Sequence, residues 1–302
     1  MFRQALKAHA RVVTAAALTA PVALSCARSE KRVYASGEAL GRGVRLELWK
    51  AKHENVVVLD LESEVVQLGM TRIRDSESQG SQFVHEADSV LRASVDLALT
   101  ALPNDDEAVV TTPRGHRVKG MVFEDDVKVC GIAIASKPEV QKGLLQVLHL
   151  ALPFESPLGE VLLETSDDRI GAKIVRSDLP DLEDREVILL CPELNALDKV
   201  GKVIHVLRQE GVAQDKITVV TLVTCQEAAD KFCQEFGDAR LVTASFDSAR
   251  DRSGYIVPGL GDFEHRYAGG APSELPAEPA AEDEDDGKGS GGGGWWPFGG
   301  SK

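Results

Sequence analysis

A series of nearly unbroken apolar runs, separated by amphipathic stretches, limits what this chain can fold into. Val187–Cys191 holds only apolar side chains, and Ile217–Thr224 admits only threonines among its polar ones. Asn55–Leu59, Val127–Ala135 and Leu241–Ser245 read the same way, and Val109–Thr112 and Val161–Glu164 give shorter strands. A strand that is apolar throughout is buried on both faces, which requires helices on both sides of a parallel sheet. The intervening segments supply those helices. Phe83, Ala87, Val90, Leu91, Val95, Leu97, Ala98 and Leu102 have the spacing of an amphipathic helix, and Pro103 stops it. Pro138–Leu150 places its proline in a first turn. Lys199–Glu210 and Gln226–Phe236 each end at a glycine, Gly211 and Gly237. The expected fold class is therefore α/β. Ligands of such sheets bind at the carboxyl ends of the strands, here near Ala135, Cys191, Thr224 and Ser245.

The 302 residues and 43% hydrophobic content suffice for one large domain or two small ones. The net charge of -14 repels polyanions, so nucleic acid is not an expected partner. No run approaches the ~18 uninterrupted apolar residues of a membrane span. Val12–Ser25 is too short and is broken by Pro21. Residues 1–34 carry six bases and a single acid, Glu30, interleaved with Ala, Val and Leu. That is the composition of an organelle presequence, with a mitochondrial cut expected before Ala35 and a plastid or secretory address as alternatives. An extension over 35–54 then precedes a domain over 55–269. Cys130, Cys191, Cys225 and Cys233 lack C-x-x-C spacing and read as free thiols. His205, Asp125-Asp126 and Asp167-Asp168 read as surface or turn residues. Residues 270–302 form an acidic, glycine-rich tail, expected to be disordered, that carries Trp295, Trp296 and Phe298 in one WWPF tetrapeptide. Aromatic anchors on a flexible tether suit docking to a partner protein or membrane surface.

Gly254-Tyr-Ile-Val-Pro-Gly-Leu-Gly-Asp262 is the most specific segment. It resembles the C-terminal signature of the uracil phosphoribosyltransferase family. Thr71–Asp75 with Ser78 and Phe83, Thr112-Pro113, Val187–Leu194, and Thr243, Ala244 and Asp247 are collinear with other stretches of that family. The resemblance implies a type I phosphoribosyltransferase fold: a parallel sheet flanked by helices, with a small hood from the N- and C-terminal parts of the domain. It also implies dimers, Mg²⁺, and transfer of ribose 5-phosphate from phosphoribosyl diphosphate (PRPP) to uracil. Tyr255, Ile256, Gly261, Asp262 and Phe263 would read uracil, largely through main-chain atoms, with Asp262 beside the reacting nitrogen.

Three parts of the implied anion site depart from the family. Its D-P-M-L-A-T-G-G-S loop is Cys191-Pro-Glu-Leu-Asn195-Ala196-Leu197-Asp198-Lys199 here. Leu197 denies the backbone its close approach, and Asp198 brings negative charge toward a dianion. The family's R-A-G pyrophosphate loop is Ala135-Ser136-Lys137, and an arginine of the next strand falls near Glu164. In the hood Arg266 is kept, while Phe263, Glu264 and His265 depart. The expectation is a pseudoenzyme that has lost PRPP chemistry and acts structurally or in regulation within an organelle, as a homodimer or a subunit of a larger complex. It would need no cofactor. The alternatives are an active divergent enzyme of pyrimidine salvage, using Mg²⁺ with Lys137 and Lys199 as phosphate contacts, and a nucleobase- or nucleotide-sensing module.

Overall fold

The computed structural model describes residues 46, 49–167 and 169–270. The expected presequence with its cut before Ala35, the tail residues Trp295, Trp296 and Phe298, and Asp168 lie outside the described residues. Lys52 begins one compact unit that contains every element below.

The apolar runs become the centre of one sheet. Its strands are β1 (Val56–Val58), β4 (Lys128–Ala135), β5 (Leu158–Thr165), β6 (Ala172–Asp178), β7 (Arg185–Leu190), β8 (Glu193–Leu194), β9 (Ile217–Cys225) and β10 (Arg240–Asp247). They run β1-β10-β9-β7-β4-β5-β6, with β8 also on β9. All pairings are parallel except β5–β6. Every residue of β9 is buried, as is every residue of β4 after Lys128, which is why these segments read as continuous apolar runs. Helices α1 (Glu64–Arg74), α2 (Gly80–Leu99), α3 (Pro138–Ala151), α4 (Leu197–Gln209) and α5 (Gln226–Glu235) connect or flank the strands. The chain closes with a short ribbon, β11 (Ala249–Arg250) on β12 (Ile256–Val257), and a final turn of helix, α6 (Phe263–Tyr267).

Four local readings change. Val109–Thr112 belongs to a separate antiparallel hairpin, β2 (Asn104–Thr111) and β3 (Arg117–Phe123), not to the central sheet. The Pro113–Gly115 turn, with Gly115 at φ +83°, returns the chain directly, and no residue of the hairpin is buried. Pro192 is followed at once by β8 rather than by an irregular loop. β6 is an added antiparallel edge strand, mostly exposed and so without an apolar run to announce it. α1 forms over residues for which periodicity predicted nothing, capped by Ser63, whose hydroxyl accepts from Val66 N–H. Cys130, Cys191 and Cys225 are buried free thiols, and Cys233 is a half-buried one. No helix among the described residues is long and apolar enough to cross a membrane.

Candidate functional site

The carboxyl ends of β4, β5 and β7 open onto a cavity of about 320 Å³, roofed by α6 and its preceding turn. The turn needs glycine at Gly259: φ is +60°, and an added Cβ would sit 2.0 Å from the Ile256 carbonyl oxygen. Asp262 caps α6, its carboxylate accepting from His265 N–H at 2.9 Å. The helix is then clamped from three sides. Buried Arg266 donates to the carbonyls of Ile73, Leu260, Asp75 and Ser78 at 2.8–3.0 Å and lies over the Phe83 ring. The Tyr267 hydroxyl bonds Asp88, and its ring lies where only Gly143 leaves room, since a Cβ there would meet that oxygen at 2.2 Å. Arg74 forks onto Asp247 at 2.9 and 3.0 Å, and the same carboxylate accepts from Gly259 N–H at 2.8 Å.

The opposite wall carries residues of 135–137 and of the β7–α4 segment. Ala135, Ser136 and Lys137 line the cavity just before α3, whose N-terminus has no side-chain cap of its own. Glu264 supplies the anion there: both its carboxylate oxygens accept from Ser136 N–H, at 2.9 and 3.1 Å. A helix N-terminus with a free main-chain donor is an anion site, and here the protein's own carboxylate sits in it. Burial raises the Glu264 carboxyl, opposed by that hydrogen bond and by Lys199. Ser136 and Thr165 share a hydroxyl hydrogen bond of 2.7 Å.

Cys191, Glu193 and Lys199 come from the β7–α4 segment. Burial pushes the Cys191 thiol up to about 12, so it is no nucleophile near neutral pH. Burial likewise pushes Glu193 up to about 7, with Lys199 opposing and Asp262 adding. Asp198 turns away from the cavity: it accepts from Ala172 N–H and from Lys202, each at 2.7 Å, and so ties α4 to β6. Asn195 holds the loop closed by donating to the carbonyls of Arg169 and Gly254 at 3.1 and 3.0 Å. Ala196 precedes α4 without capping it, and Leu197 opens the helix.

Arg169, from the turn between β5 and β6, completes the site. Its guanidinium bonds the Asp262 carboxylate and lies 4.1 Å from the centre of the Tyr255 ring. Burial alone would raise Asp262; the His265 N–H and Arg169 outweigh it and hold the carboxyl low. Asp262 and Phe263 line the cavity, whereas Tyr255 lies beneath Arg169 and Ile256 is buried, paired with Arg250 across the β11–β12 ribbon. Gly261, at φ +69°, turns the chain into Asp262. Thr165 and Arg169 had no sequence signal as site residues, whereas Glu193 fell within the loop that the resemblance aligned; Arg169 meets Asp262 across 93 positions. Among the described residues no three His, Cys, Asp or Glu side chains converge to hold a metal.

A mostly parallel sheet, a loop–helix junction at its strand ends and a C-terminal hood over them define the type I phosphoribosyltransferase class. Residues 60–269 match the family model for uracil phosphoribosyltransferase, and the chain belongs to that family. The uracil phosphoribosyltransferase of Dictyostelium discoideum is 32% identical over 72% of this chain and 97% of its own length. Uracil phosphoribosyltransferase 2 of Schizosaccharomyces pombe is 33% identical over 72% and 96%. Among solved structures, the AQ2163 protein from Aquifex aeolicus shares the fold, with a TM-score of 0.59 at 18% identity over 73% of this chain and all of that one.

Proposed function

We propose that this chain is a uracil phosphoribosyltransferase-family protein that has lost PRPP-dependent transfer and serves as a structural or regulatory pseudoenzyme. The observation that carries this reading is the Glu264 carboxylate on the Ser136 main-chain donor. A pyrophosphate would have to displace a hydrogen-bonded carboxylate and then sit beside it. At an effective dielectric constant near 20, two like unit charges ~5 Å apart repel by about 3 kcal/mol, roughly two powers of ten in affinity. Leu197, which opens α4, works in the same direction by denying the backbone its close approach, whereas Asp198 faces Ala172 and Lys202 and does not bear on the cavity.

The test is calorimetric titration of the full chain with PRPP and with UMP, in Mg²⁺, alongside a uracil-to-UMP turnover assay. Neither PRPP binding nor turnover is the expected result. Micromolar PRPP binding with turnover would overturn it in favour of an active enzyme; Lys137 and Lys199, both facing the cavity, favour that second reading. UMP binding without PRPP binding would mark a sensing module.

Self-association, as a homodimer or within a larger organellar assembly, is part of the proposal. The hairpin supports it: Val109, Val110, Val118 and Met121 are 44–63% exposed. Bases (Arg114, Arg117, Lys119) flank its turn and acids (Asp105, Asp106, Glu107) its root. Two hairpins packed antiparallel would match these charges, and light scattering of V110K against the unaltered chain tests it. The basic N-terminus is proposed as the organelle address, with N-terminal sequencing of the native protein as its check. Docking through Trp295, Trp296 and Phe298 is tested by loss of a co-purifying partner on deleting 287–302.

A further inference from the structure

Arg169 is held over the Tyr255 ring by its backbone as well as by its charge. The turn 166–171 is tied at its base: Ser166 N–H donates to the Gly171 carbonyl at 2.9 Å, and Gly171 N–H to the Ser166 hydroxyl at 2.8 Å. Within it Arg169 takes φ +57°, a left-handed conformation that a long side chain keeps only where its surroundings fix it. Asn195 supplies that fixing. Its amide donates to the carbonyls of both Arg169 and Gly254, which staples the arginine backbone to the residue before Tyr255. The guanidinium then lies on the Tyr255 ring and donates to Oδ2 of Asp262, whose Oδ1 is taken by His265 N–H. The Arg169 side chain is 24% exposed and that of Asp262 17%, so the pair fills a recess rather than reaching through solvent.

A flat aromatic face with a carboxylate at its edge selects a planar group that carries N–H donors. A guanidinium answers that description, and so does a pyrimidine base. We propose that Arg169 is a tethered plug: from within the chain it takes the place of a planar nitrogen base between the Tyr255 face and the Asp262 carboxylate, and so keeps such bases out. The proposal rests on the reading that this site no longer carries out transfer, and it completes it. Glu264 fills the anion half of the site, and Arg169 fills the half beneath the hood. A group tethered on a short turn competes at an effective concentration on the order of millimolar. A free base of millimolar affinity therefore cannot displace it. Arg169 lines the cavity whereas Tyr255 does not, so shortening this side chain extends the cavity to the Tyr255 ring and leaves Oδ2 of Asp262 as a free acceptor there.

The experiment is ligand-observed NMR and calorimetry on the full chain, unaltered and as R169A. The probes are uracil and cytosine, with benzoate, planar but without an N–H donor, as control. R169A should bind both bases about tenfold or more tighter than the unaltered chain does, with no gain for benzoate. R169G, which suits the positive φ, is the second variant and should gain alike, so a fold lost in R169A does not hide the result. Methylguanidine, which returns the missing group, should compete with the bases. Adding D262N to R169A puts an amide donor where Oδ2 accepts and should abolish the gain, with the melting temperature of each variant as the check on folding. The proposal is overturned if neither Arg169 variant gains affinity for the bases, if benzoate gains as much, or if the gain survives D262N. PRPP binding or turnover by the unaltered chain would instead sink the lost-transfer reading, so the two failures are distinguishable.

Discussion

The hood clamp and the phosphate wall face one another across a single cavity, and they handle charge in opposite ways. In the clamp every ion finds a protein partner: Arg74 with Asp247, Arg266 with four carbonyls. At the wall one carboxylate fills an anion site, while Lys199 offsets the charge of Glu193 and Glu264 without a hydrogen bond to either. The family-like residues kept in this chain, Arg74, Asp247, Gly259 and Arg266, are those whose partners are protein atoms. The stretches at 135–137 and 191–199, which depart from the family's pattern, are those that the resemblance assigns to ligand contacts, while Asp262 of the signature is kept and lines the cavity.

The comparison breaks most visibly at Arg266. R266M keeps the contact with Phe83 but orphans buried carbonyls, and should cost about 3–5 kcal/mol in denaturant unfolding. A loss under 1 kcal/mol would show that the clamp does not hold the hood. E264A frees the Ser136 N–H and should raise pyrophosphate affinity about a hundredfold, or ~2.7 kcal/mol, by titration calorimetry. No gain would mean that Glu264 does not guard the site. Glu193 comes next. Burial, with Asp262 and Glu264 adding and Lys199 and Arg169 opposing, puts its folded pKa at about 7, against about 4.3 unfolded. The folded state thus binds this proton more tightly, so stability falls as pH rises from about 4.5 to 7 and levels above that. E193Q should flatten a slope on the order of 2 kcal/mol across that window; an unchanged slope would place the titration elsewhere. R169A should be mildest, with less than about 1 kcal/mol lost in thermal unfolding, because its pair with Asp262 is partly solvated. A larger loss would make Arg169 part of the clamp.

The sheet was legible because burial on both faces leaves no polar position to obscure a strand, as in β7 and β9. The hairpin and β6 were not, because exposed strands carry mixed side chains and declare themselves only through pairing. The site divides along the same line. Asp262 and Phe263 were reachable through a local signature, and the loss at 135–137 and 191–199 through its departures. The Glu264–Ser136 bond spans 128 positions and Arg169–Asp262 spans 93, so no local pattern encodes either.

The reach of Arg266 has a consequence for how the domain is held shut. Its bonds to Ile73, Asp75 and Ser78 span 188–193 positions, so the end of α1 and the turn after it are fastened by almost the last turn of the domain. Contacts this distant carry a large loop-closure entropy, as does the pairing of Val56 in β1 with Leu241 in β10. The hood is thereby a clasp on both ends of the domain. A single proteolytic cut between Gly261 and Arg266 would release both ends of the fold at once, and would leave the central sheet to hold alone.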